Sequence, residues 1–199
     1  MVNQKKVKPG VIFSTHEFAM TKGISLSAAS HQLKTAKKRG DIIRLTRGIW
    51  ANQDHPYFNP LACVPWLLGK EQGYVSFLTA LHRWGALSQI PPVIQVATTG
   101  HSRKLETPIG KFEFFQLKPQ MMLQGIEWTH TQIPYRIATL EKALLDTLYV
   151  SNRKGRRFAS LPELHLDFNS RKILHLLKNQ KVPAPVVKAI KKKLQLPKQ

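Results

Sequence analysis

The chain has 199 residues, the length of one medium domain or two small ones, which excludes a large multidomain enzyme. Lys and Arg number 31 against 11 Asp and Glu, a formal charge of +20, while 42% hydrophobic content is enough for a packed core, so the charge does not signal disorder. A folded chain this basic points to a polyanionic partner, nucleic acid before an anionic membrane surface. Cys63 stands alone, which excludes an intramolecular disulfide framework and a Cys-rich zinc site.

The excess charge sits at the two ends. Residues 1–50 carry +8, residues 51–150 only +1 and residues 151–199 +11, so two basic regions flank a nearly neutral middle. Met1 to Gly10 holds Lys5, Lys6 and Lys8 but no apolar signal region, and the longest apolar stretch, Leu61 to Gly69, is interrupted by Pro65 and too short to span a bilayer. The expectation is a cytoplasmic protein without a membrane segment. A polar run, Asn52 to Pro56, marks a boundary between a unit over 1–54 and a second over 57–199.

In chain order, the apolar run Val11 to Phe13 precedes a helix capped by Ser14 and Thr15, with Glu17 completing a capping box and Gly23 ending it after Lys22. Ser25 then caps a second helix to Arg39, closed by Gly40. Its spacing turns Leu26, Ala29, Leu33 and Ala36 inward. Ser27, Ser30, His31, Lys34 and Lys38 fall on the outer side, where short polar and basic groups can reach phosphates and base edges. Asp41 to Ala51 alternates as a hairpin through Arg47-Gly48, with Arg44 and Arg47 placed beside the helix. Helix, turn, helix and basic hairpin in that order read as a winged helix-turn-helix.

Beyond the boundary, Pro60 to Gln72 has helical spacing that Pro65 kinks or restarts. Tyr74 to Leu87 reads as a helix with Phe77, Leu78, Leu81 and Trp84 on one apolar face, closed by Gly85. Three strands follow, at Val93 to Thr98, Lys111 to Leu117 and Glu127 to Ile133, and then a helix over Thr139 to Tyr149 with Glu141 and Asp146 polar. Two more helices, Ser170 to Lys178 and Pro185 to Leu194, end the chain. The second sets Val187, Ile190 and Leu194 against Lys188, Lys191 and Lys192. With Arg153, Lys154, Arg156 and Arg157 they form a second basic patch facing nucleic acid. The fold class is therefore α+β, a winged helix-turn-helix followed by a mixed α/β unit ending in basic helices.

Catalytic patterns are sparse. No phosphate loop, nucleophile elbow or metal-spaced histidine pair occurs, so the reading is of a non-enzyme without cofactor or metal. Glu113, Glu127, Glu141 and Asp146 leave open a metal-dependent nuclease. A basic RNA-binding protein is the other alternative.

The run Ser76 to Leu87, continuing through Gln89-Ile90-Pro91 to Val96-Ala97-Thr98, together with Arg136-Ile-Ala-Thr-Leu-Glu-Lys-Ala-Leu-Leu-Asp146, resembles the AbiEi antitoxin family of type IV toxin-antitoxin systems. Phe13 to Ala51 matches in order and position. The resemblance implies a repressor that binds an inverted-repeat operator through Ser27, His31, Lys34, Lys38, Arg44 and Arg47, a monomer in solution that assembles cooperatively on DNA. It further implies a C-terminal domain that antagonises a nucleotidyltransferase-like toxin without needing stable direct contact. Members of that family often carry a full helix before the helix-turn-helix, whereas only ten residues precede Val11 here.

Overall fold

The structure is a computed structural model and describes residues 10–152 and 167–196. It is a mixed α and β chain. The first unit runs β1 (Ile12–Ser14), α1 (Thr15–Lys22), α2 (Leu26–Arg39), β2 (Ile43–Thr46) and β3 (Ile49–Ala51). Local chemistry sets these bounds. Ser14 Oγ accepts from the Glu17 amide at 3.0 Å while the Glu17 carboxylate accepts from the Ser14 amide at 2.6 Å, a reciprocal capping box, and Gly23 closes α1 in the left-handed conformation at φ 63°.

The three strands form an antiparallel sheet in the order β1-β3-β2. Both of its faces are covered. Phe13 pairs with Trp50 across the strands, and these two pack with Leu33 and Ile42 under the helices. Ile12 and Ile43 both pair with Ala51 on the opposite face. There Ala51 and Leu45 join the larger core, with Ile12, Ile43 and Ile49 packed against it. The turns after Ala51 are ordered by Asn52, whose amide donates to Val11 and whose side chain accepts from Asp54.

The larger unit opens with a 3-10 turn, Pro60–Cys63, that restarts as α3 (Val64–Leu68) with Pro65 in its first turn, where the missing N–H is harmless. Then come β4 (Gly73–Val75), α4 (Phe77–Arg83), β5 (Ile94–Thr98), β6 (Arg103–Thr107), β7 (Gly110–Gln116), β8 (Ile126–Trp128), β9 (Arg136–Ala138) and α5 (Leu140–Ser151). The strands make one mixed sheet in the order β6-β7-β5-β4-β9-β8. α4 and α5 pack on one another and against this sheet, and α6 (Ser170–Asn179) and α7 (Ala184–Lys193) pack on α5.

Two expected elements differ. Tyr74 and Val75 belong to a strand rather than a helix, because β4 is held on one side by Val96 to Thr98 and on the other by Ile137. α4 therefore starts at Phe77, which takes a left-handed φ of 56°, and Trp84 lies beyond its end, 38% exposed. The strand expected over Glu127 to Ile133 stops at Trp128. Thr129 bonds back to Tyr135 at 3.0 Å and turns the chain into β9. Four strands, β1, β4, β6 and β9, are additions to the sequence reading. No helix among the described residues is long and apolar enough to cross a membrane.

Candidate nucleic-acid interface

α2 holds the expected outer face on a fixed inner one. The Ser25 side chain accepts from the Ala28 amide at 3.2 Å and Gly40 closes the helix at φ 85°. Ala29 and Leu33 are fully buried and Ala36 half-buried. Ser27, His31, Lys34 and Lys38 are exposed, and Ser30 is half-buried at the edge of their face. Leu26 is a correction: expected inside, it is 54% exposed, at the first position of the helix. The helix contains no acidic residue, and its last turn is Lys37, Lys38 and Arg39. Arg39 is engaged by Asp41 at 2.8 Å.

Opposite charge is thus missing from the whole outer surface of α2. An anion approaching it meets the donors of Ser27, His31, Lys34 and Lys38, and the helix itself offers no competing carboxylate.

The hairpin is fixed to α1. Thr15 donates its amide to the Gly48 carbonyl at 2.8 Å, and Trp50 donates its indole N–H to the Thr15 hydroxyl. Gly48, at φ 79°, supplies the left-handed turn that leaves Arg47 exposed at the tip. Arg44 pairs opposite Trp50, places its guanidinium 5.9 Å from the centre of that ring and donates Nε to the Thr46 carbonyl at 3.2 Å. Both arginines are exposed, and a guanidinium carries more donors than the one Arg44 spends on Thr46. On the other flank, a cleft of about 980 Å³ separates α2 from the 52–56 connector, lined by Phe18, His31, Arg39, Ile42, Asp54 and His55 among others. His31 therefore stands at the border between the basic face and this cleft.

Of the second patch, Arg153, Lys154, Arg156 and Arg157 lie outside the described residues. Lys188 and Lys192 are exposed on α7, whereas Lys191 is half-buried beside Val187 rather than opposite it. α6 adds Arg171, Lys172 and Lys178, all exposed, over buried Ile173 and Leu177. Among the described residues the basic character of this end is carried by two helices rather than one.

The four carboxylates weighed for a nuclease do not converge. Glu113 on β7 lies 4.0 Å from Lys104, Glu127 is exposed on β8, and Glu141 accepts from the Asn169 amide at 3.3 Å. Asp146 is fully buried. Among the described residues no group of three or more His, Cys, Asp or Glu is arranged to hold a metal ion.

Asp146 belongs to a polar centre that the sequence reading passed over. Its carboxylate accepts from Tyr74 at 2.9 Å, from Ser76 at 2.8 Å and from the Lys142 ammonium, which also donates to Gln180 Oε1 at 3.3 Å. Lys142 and Asp146 have no solvent exposure. Burial pushes the Asp146 carboxyl up and the Lys142 ammonium down, and each charge only partly offsets the cost to the other. Gly125 closes over Lys142, where a Cβ would stand 2.8 Å from the lysine Cβ. A partial signal was available: apolar Ala143, Leu144, Leu145, Leu148, Tyr149 and Val150 spread over most of the circumference of α5, which is buried from Glu141 to Val150, so a Lys and an Asp four residues apart on it lie next to apolar neighbours.

No protein-family model matches the chain, and a search of curated proteins finds no similar sequence.

Proposed function

We propose that the chain is a duplex-DNA-binding repressor and antitoxin of the AbiEi type. The observation that carries the reading is α2: a helix without an acidic residue, seated through Ala29 and Leu33, that presents Ser27, Ser30, His31, Lys34 and Lys38 outward. Before it comes a short helix and a glycine turn, and after it an antiparallel hairpin bearing Arg44 and Arg47. That order is the one a winged helix-turn-helix uses, with β1 filling the third place in the sheet. α2 enters the major groove and the hairpin follows the neighbouring backbone. The exposed lysines and arginines of α6 and α7 lie on the same polyanion as a second contact, across two half-sites of an inverted repeat.

The antitoxin half of the reading rests on the resemblance of Ser76 to Thr98 and Arg136 to Asp146 to that family. The partner is a nucleotidyltransferase-like toxin encoded beside this chain. Operator binding and toxin antagonism then use different surfaces.

Titration of full-length protein against duplex DNA at rising salt tests the first half. Neutralising about six phosphates gives a slope of log K on log salt near −5, and a slope shallower than about −2 overturns the reading. For the second half, full-length protein carrying His31→Ala, Lys34→Ala and Arg47→Ala is co-expressed with the toxin. Loss of operator binding with rescue of growth supports separate surfaces, and loss of both refutes them. Stronger binding to single-stranded RNA than to duplex DNA would replace this reading with the RNA-binding one.

A further inference from the structure

Two large apolar side chains of the first unit are left in solvent, and they flank one turn. Met20, in the second half of α1, is 70% exposed, and Leu26, the first residue of α2, is 54% exposed. After Leu26, Ser27 and Ala28 are also exposed, and the first charged residue of α2 is Lys34. The helix is therefore divided along its length. Its first two turns carry no Lys or Arg and are partly apolar, and its last two carry Lys34, Lys37, Lys38 and Arg39.

We propose that Leu26 is a specificity-determining residue that reads the 5-methyl group of thymine in the major groove. This deepens, and rests on, the reading of α2 as a recognition helix. The basic half fits the phosphates, which leaves the neutral half at the base edges. An exposed leucine there has one good partner, because the thymine methyl is the only apolar group that the standard base pairs display in that groove. Leu26, Ser30, Lys34 and Lys37 follow one stripe of the helix, at successive intervals of four, four and three residues. The apolar contact and the phosphate contacts can thus be made in a single docking pose. Ser27, next to Leu26, supplies a hydroxyl to an adjacent base edge.

The test begins with duplexes selected by full-length protein from a randomised library. Each thymine of the selected duplex is then replaced in turn by 2′-deoxyuridine, which keeps the base pair and removes only the methyl. At one or two positions, affinity falls about three- to five-fold, the effect of one buried methyl group. Leu26→Ala shows a loss of similar size on the thymine duplex and almost none on the deoxyuridine duplex, since the two changes remove the same contact. Unchanged affinity at every deoxyuridine position overturns the proposal without involving any protein variant. So does a Leu26→Ala loss that is equal on both duplexes, which would make Leu26 structural. If no duplex is enriched at all, the DNA-binding reading falls with it. If duplexes are enriched but their thymine methyls are irrelevant, only the role of Leu26 falls.

Discussion

The indole N–H of Trp50 donates to the hydroxyl of Thr15 across 2.9 Å, and the same hydroxyl donates to the Gly48 carbonyl at 3.3 Å. One side chain at the start of α1 therefore holds both a strand and the turn of the hairpin that carries Arg47. Trp50→Phe keeps a ring in the core and deletes the donor, at a cost of about 1 kcal/mol in urea denaturation. Thr15→Val removes both contacts and should lower operator affinity further than Trp50→Phe at equal folded fraction. Unchanged affinity in Thr15→Val would mean that the backbone bond from Thr15 to Gly48 holds the turn without the side chain.

Lys34 and Lys38 differ from Ser27 and His31 in what their loss should do. Lys34→Ala and Lys38→Ala should weaken selected and random duplexes alike, each reducing the salt slope by about 1. Ser27→Ala and His31→Ala should weaken the selected duplex more than the random one. Competition titrations against both duplexes measure the difference, and four equal losses would place α2 outside the groove.

The buried pair makes a stability prediction with a defined pH sign. Lys142→Met leaves the Asp146 carboxylate without its cation and should cost about 3–5 kcal/mol. Adding Asp146→Asn, which keeps an acceptor for Tyr74 and Ser76, should recover most of that loss. Asp146 already has a raised pKa from burial, and without Lys142 it rises further. A raised carboxyl pKa contributes stability below its unfolded value that is lost as pH rises, so the deficit of Lys142→Met against the parent should shrink on acidification. Denaturant titrations at neutral and mildly acidic pH check the sign.

Glu71 should behave in the opposite sense. Partial burial raises its carboxyl, but hydrogen bonds from Arg103 and Thr98 and the Arg103 charge outweigh that and hold it below the ordinary value. Arg103 reaches it at 2.7 Å while lying 4.2 Å from the centre of the Phe114 ring, so one carboxylate ties the loop before β4 to β6 and β7. The stability this contributes is present above the unfolded pKa and disappears as pH falls through the folded one. Glu71→Gln should cost about 1 kcal/mol at neutral pH and converge on the parent only once the pH has fallen below the ordinary glutamate range and through the depressed folded pKa.

The elements that were legible in the sequence are those whose ends are chosen locally. Ser14 with Glu17, Gly23, Ser25 and Gly40 fix α1 and α2 through contacts no more than five residues apart, so reading neighbours suffices. β4 is decided elsewhere: Tyr74 and Val75 sit in an apolar run compatible with a helix, and Ile137, 62 residues later, makes them a strand. β6, with Leu105 its only large apolar residue, carries too weak an alternation to be seen before β7 is placed beside it. At the candidate site the exposed face of α2 was legible from helical spacing. Leu26 was not, because spacing assigns a direction but says nothing of whether a neighbouring element extends far enough to cover it.

The two covered faces of the β1-β3-β2 sheet also have a consequence for the order of synthesis. Once residue 51 has left the ribosome, the chain holds everything that buries Phe13, Leu33, Ile42 and Trp50. The face bearing Leu45 and Ala51 must wait, since every other buried member of its core lies at Ala62 or later. At about 5–20 residues per second, the roughly one hundred residues from Ala51 to the end of α5 take on the order of 5–20 s to appear. For that interval the core that covers Ile12, Ile43, Leu45 and Ile49 is incomplete, while every residue that buries Phe13 and Trp50 is already present, so the two faces of one small sheet close at different times.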